Sequence, residues 1–255
     1  MGRRWALSRD LIARDPARIE GMFAHIVPRY DLLNRLMTLG LDRRWRRIAA
    51  MQASPARGGT VLDACCGTGD LAFTLTDAYP GCAVVGLDFS RAMLVKAEQK
   101  SSARRRRGWA TAPRFVRGDL LDLPFPDDEF SAVTVGWGVR NVSDVRRAFC
   151  EMVRVTRPGG RVVCLESTPV GGGLSRWFHR VWMGHAVPAL GRLVAGEAEA
   201  YAYLPTSVRS FPSVEELAAI MWRSGLEAIR FRRFGLDGVA IHVGEVPGAS
   251  GAPRP

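Results

Sequence analysis

The chain has 255 residues, 47% of them hydrophobic, and a formal charge of +11 at neutral pH. That length suits one large α/β domain with a cap and little more, and no apolar run approaches the roughly 18 residues that a membrane-spanning helix needs. Met1–Asp10, MGRRWALSRD, lacks the apolar core of a secretory leader, so the expectation is a cytoplasmic protein with access to the inner face of the membrane.

Nearly all of the positive charge is arginine, the lysines being Lys96 and Lys100. The sign favours anionic surfaces such as lipid headgroups or nucleic acid. Two clusters stand out, Arg43-Arg44-Trp45-Arg46-Arg47 and Arg104–Arg107; the plain reading of them is a solvated helix face and a solvated loop. Cysteines at 65, 66, 82, 150 and 164 form an odd set without a CxxC pair, which predicts reduced thiols and no metal site.

Residues 1–50 are basic and rich in helix formers, and they read as an amino-terminal helical cap. From residue 51 strand and helix patterns alternate, as in a mostly parallel sheet. Thr60–Asp63 is a short buried strand, followed by a glycine turn and an apolar helix to about Tyr79. Ala83–Asp88 is the second strand, and Ser90 suits the N-cap of a helix running to about Lys100. Arg114–Gly118 and Ser131–Gly136 are the third and fourth strands. Val145, Phe149, Met152 and Val153 recur at helical spacing. Arg157–Gly160 then reads as a turn before a fifth strand, Arg161–Glu166. Gly171–Gly173 interrupts the pattern, and residues 171–210 read as a cap inserted into a core of 51–245. Ser213 and Glu216 have the spacing of a capping box. Ile229–Phe234 and Gly238–Val243 complete a seven-stranded, doubly wound sheet; residues 246–255 read as a disordered tail.

The chemistry concentrates at Val61–Asp70, VLDACCGTGD, a strand, a turn and a helix start. Gly67-x-Gly69-x-x-Ala72 alone also fits a loose dinucleotide fingerprint. Charge separates the two readings. A pyrophosphate would sit at this helix N-terminus, but Asp63 and Asp70 bracket the position and would repel it. A ligand with an ammonium and a sulfonium, S-adenosylmethionine, suits two carboxylates. Asp88, followed by Phe89, is placed to accept the ribose hydroxyls, and Asp119, followed by Leu120, to accept from the adenine amino group. Three acids at the carboxyl ends of successive strands occupy the position where such sheets bind ligands.

Further segments resemble the ubiquinone/menaquinone biosynthesis C-methyltransferase family. They are Ala24–Arg47 (AHIVPRYDLLNRLMTLGLDRRWRR), Asp119–Phe130 (DLLDLPFPDDEF), Gly136–Val142 (GWGVRNV), Arg154–Thr168 (RVTRPGGRVVCLEST) and Gly238–Gly244 (GVAIHVG). The resemblance implies the class I S-adenosylmethionine-dependent methyltransferase fold and metal-free methylation of a ring carbon on a polyprenylated quinol. It also implies Thr68 and Asp88 as cofactor contacts and Asp119 at the adenine. Gly136 stands where some members have serine, and Ser167-Thr168 where a Phe-Ser pair is expected; both departures bear on the fit of the headgroup.

A quinol carbon turns nucleophilic when an adjacent hydroxyl ionises, so the site must supply position, desolvation and phenolate stabilisation. Arg140 is expected to stabilise the phenolate as a cation, since a guanidinium is too weak an acid to act as a free base. Asn141 is expected at the ring oxygen and Tyr30 at the pocket wall. The plainer alternatives are an Arg140 paired with a surface acid and a Tyr30 that only packs beneath the amino-terminal helix. His25, His179, His185 and His242 are alternative bases, with His242 read as a core histidine. Trp177, Phe178, Trp182 and Met183 are candidates for a prenyl groove or for cap packing. The expected partners are a polyprenyl quinol and an anionic membrane surface, with a homodimer left open and nucleic acid not among them. A nucleic-acid methyltransferase typically carries an Asn/Asp-Pro-Pro-aromatic segment where this chain has Gly136–Asn141; a small-molecule methyltransferase of secondary metabolism is the other competing reading.

Overall fold

The computed structural model describes residue 21 and residues 26–182, 184, 187 and 205–248. His25, Met183, His185 and the tail beyond residue 248 lie outside these described residues, as do residues 1–20. A 3-10 turn, Val27–Arg29, leads into helix α1 (Tyr30–Met37) and helix α2 (Asp42–Ala53). The core follows as β1 (Thr60–Ala64), α3 (Asp70–Ala78), β2 (Ala83–Asp88), α4 (Arg91–Arg106), β3 (Arg114–Arg117) and β4 (Phe130–Gly136). Beyond a second 3-10 turn, Val139–Asn141, come α5 (Val145–Val155), β5 (Thr156–Ser167), α6 (Gly173–Val181), α7 (Val214–Arg223), β6 (Glu227–Phe234) and β7 (Val239–Glu245).

The seven strands lie in the order β3-β2-β1-β4-β5-β7-β6. Strand β7 runs antiparallel to both neighbours, and the remaining pairings are parallel. The central strands read as near-continuous apolar runs because both faces are covered. On one face Phe149 and Met152 of α5 and Leu217 and Met221 of α7 pack against the sheet. On the other, Trp45, Ala49, Ala50 and Ala53 of α2 join Leu71, Ala72 and Leu75 of α3. The expected cap boundary at residue 50 therefore falls inside α2, whose last turns are core. Strand order reverses at β1, with β2 on one side and β4 on the other, and ligands of such sheets bind at the carboxyl edge beside that reversal.

Local signals behave as the sequence suggests at most boundaries. The Ser90 hydroxyl accepts the Met93 amide at the start of α4, and Ser213 and Glu216 form the reciprocal capping box of α7. Two expectations change. Helix α4 continues past Lys100 to Arg106, so Arg104–Arg106 form its last turn rather than a solvated loop. Tertiary contacts hold the first of them: Arg104 pairs with Asp77 and lies over the rings of Phe73 and Trp109, while Arg105 and Arg106 are exposed. The Arg157–Gly160 turn forms as an irregularity within β5, where the register with β4 jumps from Phe130–Thr156 to Ala132–Arg161.

Candidate functional site

The glycine turn after β1 is built on residues with positive φ. Cys65, Gly67 and Gly69 lie at 55°, 55° and 85°, and a side chain at Gly69 would collide with Phe115 at 2.9 Å. The turn is tied to the next strand by the Cys66 amide, which donates to the Leu87 carbonyl at 2.9 Å. Asp88 completes the tie. Its two carboxylate oxygens accept the amides of Gly67 at 2.8 Å and Ser90 at 2.9 Å. These two bonds hold the carboxylate in place at the edge of the sheet, as a ribose acceptor requires. Phe89, half-buried, follows directly. Asp119 lies exposed beyond β3 and accepts the Leu121 amide at 2.9 Å; the Leu120 side chain is buried in the core, leaving only its backbone available there.

Asp63 and Asp70, read together as the acids that exclude a phosphate, have different surroundings. Asp63, next to last in β1, is fully buried, with one oxygen accepting the Thr134 hydroxyl at 3.0 Å and Oδ2 without a hydrogen-bond partner. Burial pushes its carboxyl up to about 7, against the pull of Thr134 and Arg46. Asp70 caps the site from α3. Burial alone would raise its pKa, but Lys100 and Arg46 outweigh that and hold it below the usual range.

Lys100 and Arg46 also organise the amino-terminal helices. Lys100 Nζ reaches Asp70, Asp31 at 3.0 Å and the Thr68 hydroxyl at 3.2 Å. The Thr68 hydroxyl donates to Asp31 at 2.5 Å, and Arg46 pairs with Asp42 and lies 3.4 Å from Asp70. Of the Arg43–Arg47 cluster, then, Arg46 is buried, while Arg43, Arg44 and Arg47 are exposed. Asp31, Lys100 and Arg46 make contacts at the site that local patterning did not assign. The signal available was the Tyr30-Asp31 pair and a lysine in a chain that otherwise uses arginine.

Asp63, Gly67, Thr68 and Gly136 line a narrow cleft of about 30 Å³ with Tyr30, Arg46 and Trp137. Tyr30 of α1 and Trp137 form the outer wall of this cleft. The donor set fits S-adenosylmethionine: a buried carboxylate oxygen without a partner suits an ammonium, Asp88 suits a ribose, and Gly136 adds no side chain beside Leu71, which its Cβ would meet at 3.2 Å.

A second, larger and mostly apolar cavity of about 750 Å³ begins on the other side of Tyr30, Arg46 and Trp137, which line both spaces. It is closed by α1, α2, α6 and the turn between β6 and β7, with Leu41, Trp45, Phe178, Trp182 and Val239 among its walls. Trp182 donates to the Met37 carbonyl at 3.0 Å, joining the insertion to the amino-terminal cap. Arg140 lies in this wall, buried. Its Nη1 donates to Glu166 Oε1 and to the Trp137 carbonyl, each at 2.7 Å. The acid that Arg140 pairs with is thus a fully buried one at the end of β5, not a surface group. Tyr30 is a neutral phenol, raised chiefly by burial. Asn141 turns its amide toward the Trp137 carbonyl at 3.4 Å and is not among the cavity-lining residues. His179 lines the cavity. His242 does not: it is buried, with Nε2 donating to the Val214 carbonyl at 2.9 Å, a core histidine.

The raised Asp63 carboxyl makes a prediction with a definite sign. The folded chain holds a proton that the unfolded chain releases near 3.8, so this group costs stability progressively as pH rises from about 4 to 7; the full cost is on the order of 4 kcal/mol. Asp63→Asn should therefore be stabilised relative to the native chain, by more at pH 8 than at pH 5, in urea unfolding without ligand. Binding of S-adenosylhomocysteine near neutral pH should release a proton from the native chain and none from the variant, read as a dependence of calorimetric heat on buffer ionisation enthalpy. A constant stability difference across that pH range would contradict the assignment.

Comparison with known proteins gives the geometry a lineage. A family model described as the ubiE/COQ5 methyltransferase family matches residues 12–246. The chain is 44% identical over 229 residues to a demethylmenaquinone methyltransferase of Thermus thermophilus, covering 89% of this chain and all of that one. It is 45% identical to the Deinococcus radiodurans protein of the same name, over 88% of this chain and 91% of that one. In fold it is similar to the [4+2]-cyclase SpnF, with a TM-score of 0.67 at 18% identity, covering 91% and 96% of the two chains. A possible histamine N-methyltransferase of Thermotoga maritima gives a TM-score of 0.59 at 18% identity, over 88% and 98%. On the extent of the family match and of these sequence identities, the chain belongs to the ubiE/COQ5 methyltransferase family.

Proposed function

We propose that the chain transfers a methyl group from S-adenosylmethionine to a ring carbon of a polyprenylated quinol, converting demethylmenaquinol to menaquinol. The observation that carries this reading is the apolar cavity of about 750 Å³ that shares Tyr30, Arg46 and Trp137 with the cleft at the glycine turn. A hydrocarbon tail needs such a volume, and the headgroup needs the polar wall. The names of the curated relatives point to the same acceptor. Bound S-adenosylmethionine would supply the electrophilic methyl group, held by Asp63, the 67–69 turn, Asp88 and Asp119. Arg140 would face the acceptor's ring oxygen, where its charge favours the ionised phenol in a water-poor setting. Glu166 fixes the guanidinium and offsets part of its charge. Tyr30, kept protonated by burial, can donate to that oxygen once it is ionised. Incubation with labelled methyl donor should give labelled menaquinol from a demethylated naphthoquinol faster than product from the corresponding benzoquinol. Equal rates would remove the naphthoquinol preference, and no product from either would sink the reading.

Arg140→Ala should lower turnover by roughly 10²–10³ with little change in affinity for S-adenosylhomocysteine. It also leaves Glu166 as a buried carboxylate without its arginine, which typically costs about 3–5 kcal/mol of stability, so the thermal midpoint must be read alongside. Arg140→Lys should recover only part of the rate, because an ammonium keeps the charge and loses the planar fork. Near-normal turnover in Arg140→Ala, or a defect confined to cofactor affinity, would make Arg140 structural.

The same reading puts the chain at the cytoplasmic face of the membrane that holds its acceptor. No helix among the described residues is long and apolar enough to cross a membrane. Support for surface binding comes from exposed apolar side chains around the cavity, Leu39 at 69% and Leu236 at 57% exposure among them, with Trp177 at 61% on α6. Arg176 and Arg209 lie in the same wall, and anionic lipid attracts such groups at about 1 kcal/mol each near the surface. Flotation should be strong with anionic vesicles, weak with neutral ones, and reduced by salt. Equal flotation with both at low salt would contradict the electrostatic part.

A further inference from the structure

The cavity holds cations and donors in plenty, and the reaction proposed above also needs a group that takes the proton of the ring hydroxyl. Arg46 and Arg140 carry no lone pair to offer. Asp42 is occupied by the Thr38 hydroxyl at 3.1 Å and by Arg46. Tyr30 is held as a neutral phenol by burial. Among the described lining residues this leaves His179, on α6.

Three features fix its ring. Nε2 lies 3.0 Å from the Gly235 carbonyl oxygen; a carbonyl can only accept, so Nε2 carries the hydrogen and the neutral ring keeps its lone pair on Nδ1. Gly238 makes the room, since a Cβ there would lie 2.1 Å from the imidazole Cε1. Helix α6 is itself pinned by Trp182, which stacks on Phe178 at 6.0 Å and donates to Met37. The charged groups around the cavity are Asp42 and Arg46 on α2, Arg140, Arg176 and Arg209, with Asp237 in the turn between β6 and β7. Cations therefore predominate, a field that suits a developing phenolate.

The geometry points to His179 as the general base that ionises the acceptor's ring hydroxyl, an inference that rests on the quinol reading. The O–H bond breaks, Nδ1–H forms, and the electron pair left on oxygen is shared with the ring carbon that will bear the methyl group. Once that carbon is methylated it sheds its hydrogen to water as a proton, and the ring oxygen takes a proton back from the imidazolium. One proton is released per turnover.

His179→Gln should lower turnover roughly 10²-fold, the lower end of what a positioned base contributes, with unchanged affinity for S-adenosylhomocysteine and an unchanged thermal midpoint. Added imidazole should restore part of the rate. Gly238→Ala, which drives the ring from its place, should mimic the loss. A readout independent of turnover is the ultraviolet absorbance of a bound mono-methyl ether of naphthohydroquinone: the native chain should ionise it at lower pH than His179→Gln does. Native turnover in His179→Gln, or identical ionisation of the bound ether by both chains, would overturn the inference. Loss of turnover together with the thermal midpoint, without rescue by imidazole, would also overturn it by making His179 structural. If the native chain itself forms no methylated naphthoquinol, the quinol reading fails, and the ether's ionisation still decides whether His179 acts as a base.

Discussion

Two cations, Lys100 and Arg46, hold three carboxylates that come from different parts of the chain: Asp31 on α1, Asp42 on α2 and Asp70 at the head of α3. Unlike surface ion pairs, these are partly or largely shielded from water, so salt screens them less and losing one partner strands the others. Their effect is positional. They fasten the amino-terminal helices over the glycine turn, and only because those helices sit there do Tyr30 and Arg46 join Trp137 in a wall with the cofactor cleft on one side and the acceptor cavity on the other.

The core was legible because its signals are local. Strand periodicity, the Ser90 cap and the Ser213–Glu216 box each lie within a few residues, and all three appear where the sequence puts them. The acids at the strand ends were legible for a related reason: sheet topology fixes where a carboxyl end must lie. The partners of those acids were not. Thr68 meets Asp31 across 37 positions and Lys100 meets Asp31 across 69, distances at which periodicity says nothing. Arg140 lies in the cavity wall, and its buried counter-ion Glu166, 26 positions away, carries no local sign beyond its place near a strand end. Asn141, expected at the ring oxygen, turns its amide toward the Trp137 carbonyl, a contact that its place in the sequence does not announce.

The two spaces differ in the chemistry they favour. Around the glycine turn, Asp88 presents an anchored carboxylate and Asp63 a buried carboxyl that a cationic donor would ionise, while Asp70 is matched by Lys100 and Arg46. In the acceptor cavity the polar groups gather on the wall shared with that turn and around the His179 corner, while the rest is hydrocarbon. An amphipathic acceptor has one way to satisfy both: ring against the wall, tail toward the apolar rim. That orientation turns a ring position, rather than the tail, toward the donor.

Which ring atom receives the methyl group tests this account most directly. Turnover of a demethylated naphthoquinol with a donor carrying a carbon-13 methyl group, followed by nuclear magnetic resonance of the product, reads the new bond itself. The account predicts a label bonded to ring carbon, with both ring oxygens unmethylated. A label found as an aryl methyl ether would contradict it, because the wall of Arg140, Tyr30 and Trp137 would then be holding oxygen, not carbon, against the donor.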